Sequence, residues 1–181
     1  MLRITIPAVE SWNEETNEFV ITRPEQTLQL EHSLVSLSKW ESKWCKPFLT
    51  NATKTSEETL DYVKCMTITQ NVAPDTYNYL TQENFKEINE YIGAPMTATT
   101  FYEDKTNRPN RETITSELIY YWMIALNIPV DFQKWHLNRL LTLIKVCNIK
   151  NTPPKKRSKR EIMSRNKALN EARRQQLNTR G

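Results

Sequence analysis

Few side chains in this chain have the types and spacing that catalysis requires. Histidine occurs only at positions 32 and 136, and cysteine only at positions 45, 65 and 147. Cys45 has a lysine two residues before it and another directly after it, and cationic neighbours favour the thiolate form. A Cys45–His136 pair is therefore the one candidate nucleophile and base. The sequence does not indicate a third residue that would orient the imidazole of His136. The pattern therefore favours a protein without enzymatic activity.

Metal binding and phosphate binding are also disfavoured. Arg139 and Leu140 occupy the positions three and four residues after His136, where a helix would place a second ligand. The only glycines are Gly93 and Gly181, whereas a loop that cradles phosphate needs several. The sequence therefore predicts no metal and no cofactor.

The charges are segregated along the chain. The ten basic residues after Pro154 are Lys155, Lys156, Arg157, Lys159, Arg160, Arg165, Lys167, Arg173, Arg174 and Arg180. Only two acidic residues accompany them, so residues 155–181 carry +8 and, since the whole chain carries +4, residues 1–154 carry −4. A run of like charges is typical of an interaction arm. The first nine of these ten residues are therefore candidate partner-binding residues.

The basic arm allows three interpretations. It could neutralise nucleic-acid phosphates, although it has no aromatic residue on which bases could stack. It could contact an acidic, helical protein, or it could be a solvated tail. The residues from Ser158 onwards have a capping-box pattern and helical spacing, so we expect either a helix or a disordered segment that orders on a partner.

Trp40 and Trp44 are the second candidate site. Together with Leu34 and Leu37 they recur at spacings of three and four, which places them on one face of a helix that ends at Pro47. Core packing is one interpretation of this face. The other interpretation is that both rings are exposed and act as anchors in a groove that binds a partner.

The hydrophobic periodicity predicts a mainly α fold of the α+β class. Alternating residues at 2–6 and 27–31, with the segment FVIT at 19–22 between them, indicate an antiparallel β-hairpin or meander within residues 1–31. A helical, bundle-like body follows over residues 32–154, with capping signals at Thr55 and Thr81 and with Gly93 just after a helix. A strand at 97–102 is predicted within an exposed loop.

The second half of the body is predicted to be a helical pair. Residues 118–128 are almost entirely apolar, and together with Ile114 they favour a helix in the centre of the core. A second apolar stripe runs over residues 132–147, and the short connection at Pro129 predicts an antiparallel helical hairpin. Length predicts one domain, residues 1–154, with residues 155–181 as its tail.

Three segments together resemble small proteins encoded among the tail genes of long-tailed bacteriophages. They are residues 30–48 (LEHSLVSLSKWESKWCKPF), residues 95–101 (PMTATTF) and residues 116–151, which contain WMIALNIP and KWHLNRLL. The chain in this respect looks like a tail assembly chaperone. The resemblance covers nearly the whole chain but carries no catalytic motif and no family site residues.

The resemblance implies a role in virion assembly. Such a chaperone coats the tape measure protein, keeps it soluble, helps recruit tail tube subunits and is absent from the finished tail. The expected location is then the cytoplasm of the infected bacterial host. A permanent virion protein, a homo-oligomer and a nucleic-acid-binding protein are the alternatives. No apolar run reaches the ~18 residues of a membrane span, so no membrane partner is expected.

Overall fold

The computed structural model describes residues 1–14, 17–50, 52–101, 112–153 and 159–177. The chain divides into two compact units, Met1–Asn148 and Ile149–Gly181. The described residues are mainly helical with a small antiparallel β component at the N-terminus, which confirms the predicted α+β class. The predicted division at residue 154 stays a prediction, because residues 154–158 lie outside the described part.

The first unit begins with four strands and continues with helices. The strands are β1 (Leu2–Ile6), β2 (Val9–Asn13), β3 (Glu18–Arg23) and β4 (Gln26–Leu30). The α-helices are α1 (Leu34–Trp44), α2 (Ser56–Met66), α3 (Gln82–Gly93), α4 (Ser116–Ala125) and α5 (Leu137–Asn151), with 3-10 helices at Pro74–Tyr79 and Val130–Lys134. The second unit begins with the last three residues of α5 and contains α6 (Lys159–Leu177).

The strands form two separate antiparallel pairs. β1 pairs with β4, so that Ile4 lies opposite Leu28, and the inward side chains of this pair are buried as the alternating pattern predicts. β2 pairs with β3 as an independent hairpin. The sequence analysis did not predict β2, because the polar residues Glu10, Ser11 and Asn13 hide its periodicity.

Side chains at the helix N-termini explain where the helices begin. Ser33, Thr55 and Thr81 each accept a hydrogen bond from the backbone N–H three residues later and form capping boxes. These boxes satisfy N–H groups that a helix leaves unpaired, and the predicted box at Thr55 is confirmed. Gly93, in contrast, is the last residue of α3 and not the residue after it, and its φ is not positive.

One core lies between the β1–β4 pair and helices α1 to α5. Its least exposed large side chains are Trp40, Ile4, Ile6, Leu28, Leu30, Leu34, Leu37, Met66, Ile88, Ile119, Leu137 and Leu140. Helix α1 packs against both α2 and α4. It is therefore α1, and not α4, that occupies the centre.

Two expectations for the second half of the body are corrected. The backbone of α4 lies closer to α1 than to α5, so the predicted α4–α5 hairpin is not the main packing of this helix. Of the predicted strand at 97–102, residues 97–101 are not in a strand, and Tyr102 lies outside the described residues. The charged segment 105–111, which we expected to be exposed, also lies outside them.

Candidate partner-binding site

Trp40 is a core residue. Its side chain is 1% exposed, its ring meets Phe48 edge to face at 5.0 Å, and its indole N–H donates to the carbonyl oxygen of Glu58 at 2.8 Å. The hydrogen bond satisfies the polar group of a buried aromatic ring. The hypothesis that Trp40 is a surface anchor is therefore corrected, because a partner cannot reach this ring while α1 and α2 stay packed.

Trp44 is only half buried, but it is also bound within the fold. Its indole N–H donates to Oδ2 of Asp61 at 2.9 Å, and its ring stacks on Trp40 with centroids 6.2 Å apart. The ammonium groups of Lys43 and Lys46 lie 5.7 and 5.9 Å from its ring centroid. Trp44 thus contributes to the α1–α2 interface, and only part of its side chain is exposed to a partner.

The two lysines beside Trp44 are paired with acids of α2. Lys43 forms an ion pair with Asp61, and Lys46 lies 2.5 Å from Oε1 of Glu58. The hydrogen bond from Lys46 holds the pKa of Glu58 below its usual range. Burial raises the pKa of Asp61, but the hydrogen bonds from Lys43 and Trp44 outweigh it, and the net pKa is lowered. The charge on this face is therefore largely compensated.

The sequence analysis missed a different surface, on α4. Ser116, Ile119 and Met123 face the core, whereas Tyr121 and Ile124 are 63% and 74% exposed. Positions three apart on a helix lie on one side, so Tyr121 and Ile124 form a continuous apolar strip, here called the α4 stripe. The all-round apolar composition of this helix predicts a place in the centre of the core, whereas the structure leaves one of its sides exposed.

The helix α4 is held rigidly at its N-terminus. Glu41 of α1 is buried, and its carboxylate accepts hydrogen bonds from the backbone N–H of Ser116 at 2.7 Å and of Phe48 at 2.8 Å. Thr115 adds an N-cap hydrogen bond from Leu118. An exposed apolar strip on a fixed helix can bind a partner without an ordering cost in the backbone.

The basic arm is only partly described. Lys155, Lys156 and Arg157 lie outside the described residues, and Lys159 is the first residue of α6. The other candidate residues of the arm are all exposed on this helix: Arg160, Arg165, Lys167, Arg173 and Arg174. The arm therefore presents cations to solvent at several angles around the helix.

The residues considered for catalysis are engaged elsewhere. The buried His136 ring donates from Nε2 to the carbonyl oxygen of Tyr91 at 3.0 Å and accepts from the N–H of Asn138 at 3.3 Å. Cys45 is exposed at the end of α1, with Sγ 3.9 Å from the carbonyl oxygen of Ser42. Both nitrogens of His136 are thus used in holding α3 and α5.

The described ranges contain no group of three or more histidine, cysteine or acidic side chains that could hold a metal ion. In the same ranges, no helix has the length and apolarity needed to cross a membrane. Comparison of the chain with protein-family models, with curated proteins and with solved structures gives no match. A functional proposal therefore depends on the surfaces of this chain and on its sequence resemblance.

Proposed function

We propose that this protein is a tail assembly chaperone of a long-tailed bacteriophage. It binds the helical tape measure protein, keeps it soluble during virion assembly and helps recruit tail tube subunits. The observation that carries the proposal is the α4 stripe, where Tyr121 and Ile124 expose most of their apolar surface on a rigidly capped helix. The resemblance of the three sequence segments supplies the biological setting.

The α4 stripe fits the surface of a long amphipathic helix. Such helices bind through apolar residues spaced three and four apart, which match the spacing of Tyr121 and Ile124. A long helical client that is not yet assembled exposes many such positions and would aggregate without cover. A protein that offers one short apolar strip can cover one segment of the client, so that many copies are needed along its length.

The basic arm adds charge to the same role. Its net charge of +8 increases the encounter rate with an acidic client at low salt. We propose that this charge speeds the first encounter with the client, while the α4 stripe makes the lasting contact and determines which surface of the client is covered.

The test is co-expression with the longest helical protein encoded beside the gene, with the soluble fraction of that protein as the readout. Ile124→Ala is the test variant and Ile149→Ala is its control, since Ile149 is also an exposed helical isoleucine (55%). Loss of an apolar interface contact lowers affinity by roughly fivefold or more. We therefore expect soluble client to fall with Ile124→Ala and to stay unchanged with Ile149→Ala.

Other outcomes would contradict the proposal. If the wild-type chain leaves client solubility unchanged and is found in purified virions, it is a permanent structural protein. If instead it binds duplex DNA, with an affinity that depends on residues 155–181 and collapses with added salt, it is a nucleic-acid-binding protein.

A further inference from the structure

The β2–β3 hairpin presents an apolar face that nothing in the described chain covers. Trp12, Phe19 and Ile21 are 50%, 69% and 59% exposed. Trp12 pairs directly with Phe19, and Glu10 with Ile21, so these side chains project from the same face. The Trp12 and Phe19 rings meet edge to face with centroids 5.0 Å apart. Apolar residues clustered in this way mark an interaction surface.

The same hairpin is acidic. Four glutamates lie between residues 9 and 23: Glu10, Glu14, Glu15 and Glu18. The only opposing charge in that segment is Arg23, which gives a net charge of −3. Its guanidinium lies 4.5 Å from the ring centroid of Tyr79, away from the hairpin turn. The hairpin therefore combines an excess of negative charge in sequence with the exposed cluster of Trp12, Phe19 and Ile21, here called the hairpin patch.

The basic arm has the complementary properties. Arg160, Lys167 and Arg174 are spaced by seven residues, which places them along one side of α6 over roughly 21 Å. Met163 and Leu177 are exposed on the same helix. The five residues of β2 span about 17 Å, so the hairpin and this row of cations have similar lengths.

Each copy of the chain thus carries one acidic and one basic apolar surface. We propose that the arm of one copy binds the hairpin patch of a second copy and so links the chains head to tail. The two surfaces differ, so the contact is heterologous, and its one-way repetition produces a ring or an open helical array. Nucleic acid is the less suitable occupant of the arm, because the arm has no aromatic residue on which bases could stack.

The link between copies has a consequence for client binding. An array bound through the hairpin patch leaves the α4 stripe of each copy free, because the two surfaces share no residue. The proposal does not depend on the chaperone function, since self-association is measured without any client.

The experiment uses sedimentation velocity of full-length chains at low salt over a range of concentrations. The hairpin variant is Glu10→Lys/Glu14→Lys/Glu18→Lys, and the arm variant is Arg160→Glu/Lys167→Glu/Arg174→Glu. A control variant, Glu83→Lys/Glu87→Lys/Glu90→Lys, changes net charge by the same amount as the hairpin variant but on exposed positions of α3. Like charges placed opposite each other should weaken association at least tenfold, by roughly the amount seen for interface charge pairs.

We expect the wild-type and control chains to associate and the two test variants to remain monomeric. Mixing the test variants should restore association, because the three glutamates introduced in one arm then meet the three lysines introduced in the other hairpin. Phe19→Ser, which leaves every charge in place, should also weaken association if the apolar patch is in the contact. Unfolding of each variant, followed by circular dichroism, separates loss of binding from loss of fold.

Three outcomes would overturn the proposal. A wild-type chain that is monomeric at all concentrations shows that the arm either binds its own hairpin or stays free. If the arm variant associates as strongly as the wild-type chain, the arm is not the segment that binds the hairpin patch. Failure of the mixed variants to associate shows that charge pairing between these two surfaces does not drive the contact.

Discussion

The imidazole rings of His32 and His136 meet edge to face, with their centroids 5.1 Å apart. His32 follows β4 and His136 precedes α5, and the backbone is joined here by the hydrogen bond from the Leu137 N–H to the His32 carbonyl oxygen at 2.7 Å. Nδ1 of His32 also lies 2.5 Å from the hydroxyl of Tyr62. The pair therefore connects the sheet, α2 and α5 within the core.

This pair should make the protein sensitive to mild acid. Burial, together with the neighbouring His136, lowers the pKa of His32 from 6.5 to about 4, and burial also lowers the pKa of His136. A lowered histidine pKa means that the unfolded chain binds more protons between these values, so stability is full above pH 6.5 and falls towards pH 4. The free energy of unfolding should drop by roughly 3 kcal/mol from His32 alone.

Urea unfolding at a series of pH values between 7.5 and 4 measures this loss. His32→Gln keeps a hydrogen-bonding group near Tyr62 but cannot titrate, so its stability should depend less on pH in this window. An equally steep pH dependence in the variant would show that other groups, such as the buried acids, cause the acid sensitivity.

The tryptophans of α1 should differ in their contribution to stability. Trp40→Ala removes a fully buried ring and leaves the Glu58 carbonyl oxygen without its donor, so we expect a loss of about 3–5 kcal/mol. Trp44→Ala should cost less, because its ring is half exposed. Trp12→Ala, on the exposed hairpin, should change stability by no more than ~0.5 kcal/mol. Denaturant unfolding of the three variants gives the order, and equal losses for Trp40 and Trp12 would contradict it.

Periodicity predicted the α+β class and most helices because burial and capping are local in sequence. Ile4 and Ile6 alternate with polar residues, and Thr55 lies three residues before Glu58, so short segments contain the whole signal. The hydrogen bond from Trp40 to Glu58 is different, since it joins residues 18 positions apart and depends on how α2 packs on α1. A single apolar face therefore could not show whether Trp40 lay in the core or at the surface.

The candidate surfaces were harder to predict for the same reason. The stripe on α4 was apolar in sequence, but which side faces α1 depends on contacts between distant residues, such as the hydrogen bond from the Ser116 N–H to a carboxylate 75 residues earlier. The hairpin patch depends on the pairing of Trp12 with Phe19, and β2 itself lacks alternation. The charge of the arm, in contrast, needs no fold and was evident from composition.

Glu41 should be necessary for the position of α4. Its two carboxylate oxygens accept from the N–H groups of Phe48 and Ser116, whereas glutamine would direct an NH₂ group at one of them. Glu41→Gln should therefore lower the free energy of unfolding by about 1–3 kcal/mol. Glu87→Gln, an exposed change of the same type on α3, is the control and should have little effect. Equal stability of the two variants, measured by urea unfolding, would mean that the buried carboxylate contributes nothing specific.

A substitution at Cys45 should increase the stability of the protein instead of lowering it. It ends α1 with φ 51° and ψ 36°, a left-handed conformation that is unfavourable for a residue with a Cβ atom. Glycine adopts this conformation without that cost, so Cys45→Gly should raise the free energy of unfolding by roughly 1 kcal/mol. Cys45→Ala keeps the Cβ atom and removes the exposed thiol, and it should give no such gain. If both variants are stabilised equally under reducing conditions, the gain comes from removing the sulfur and not from the backbone. A gain confined to glycine would show that the turn between α1 and Phe48 is strained at this residue.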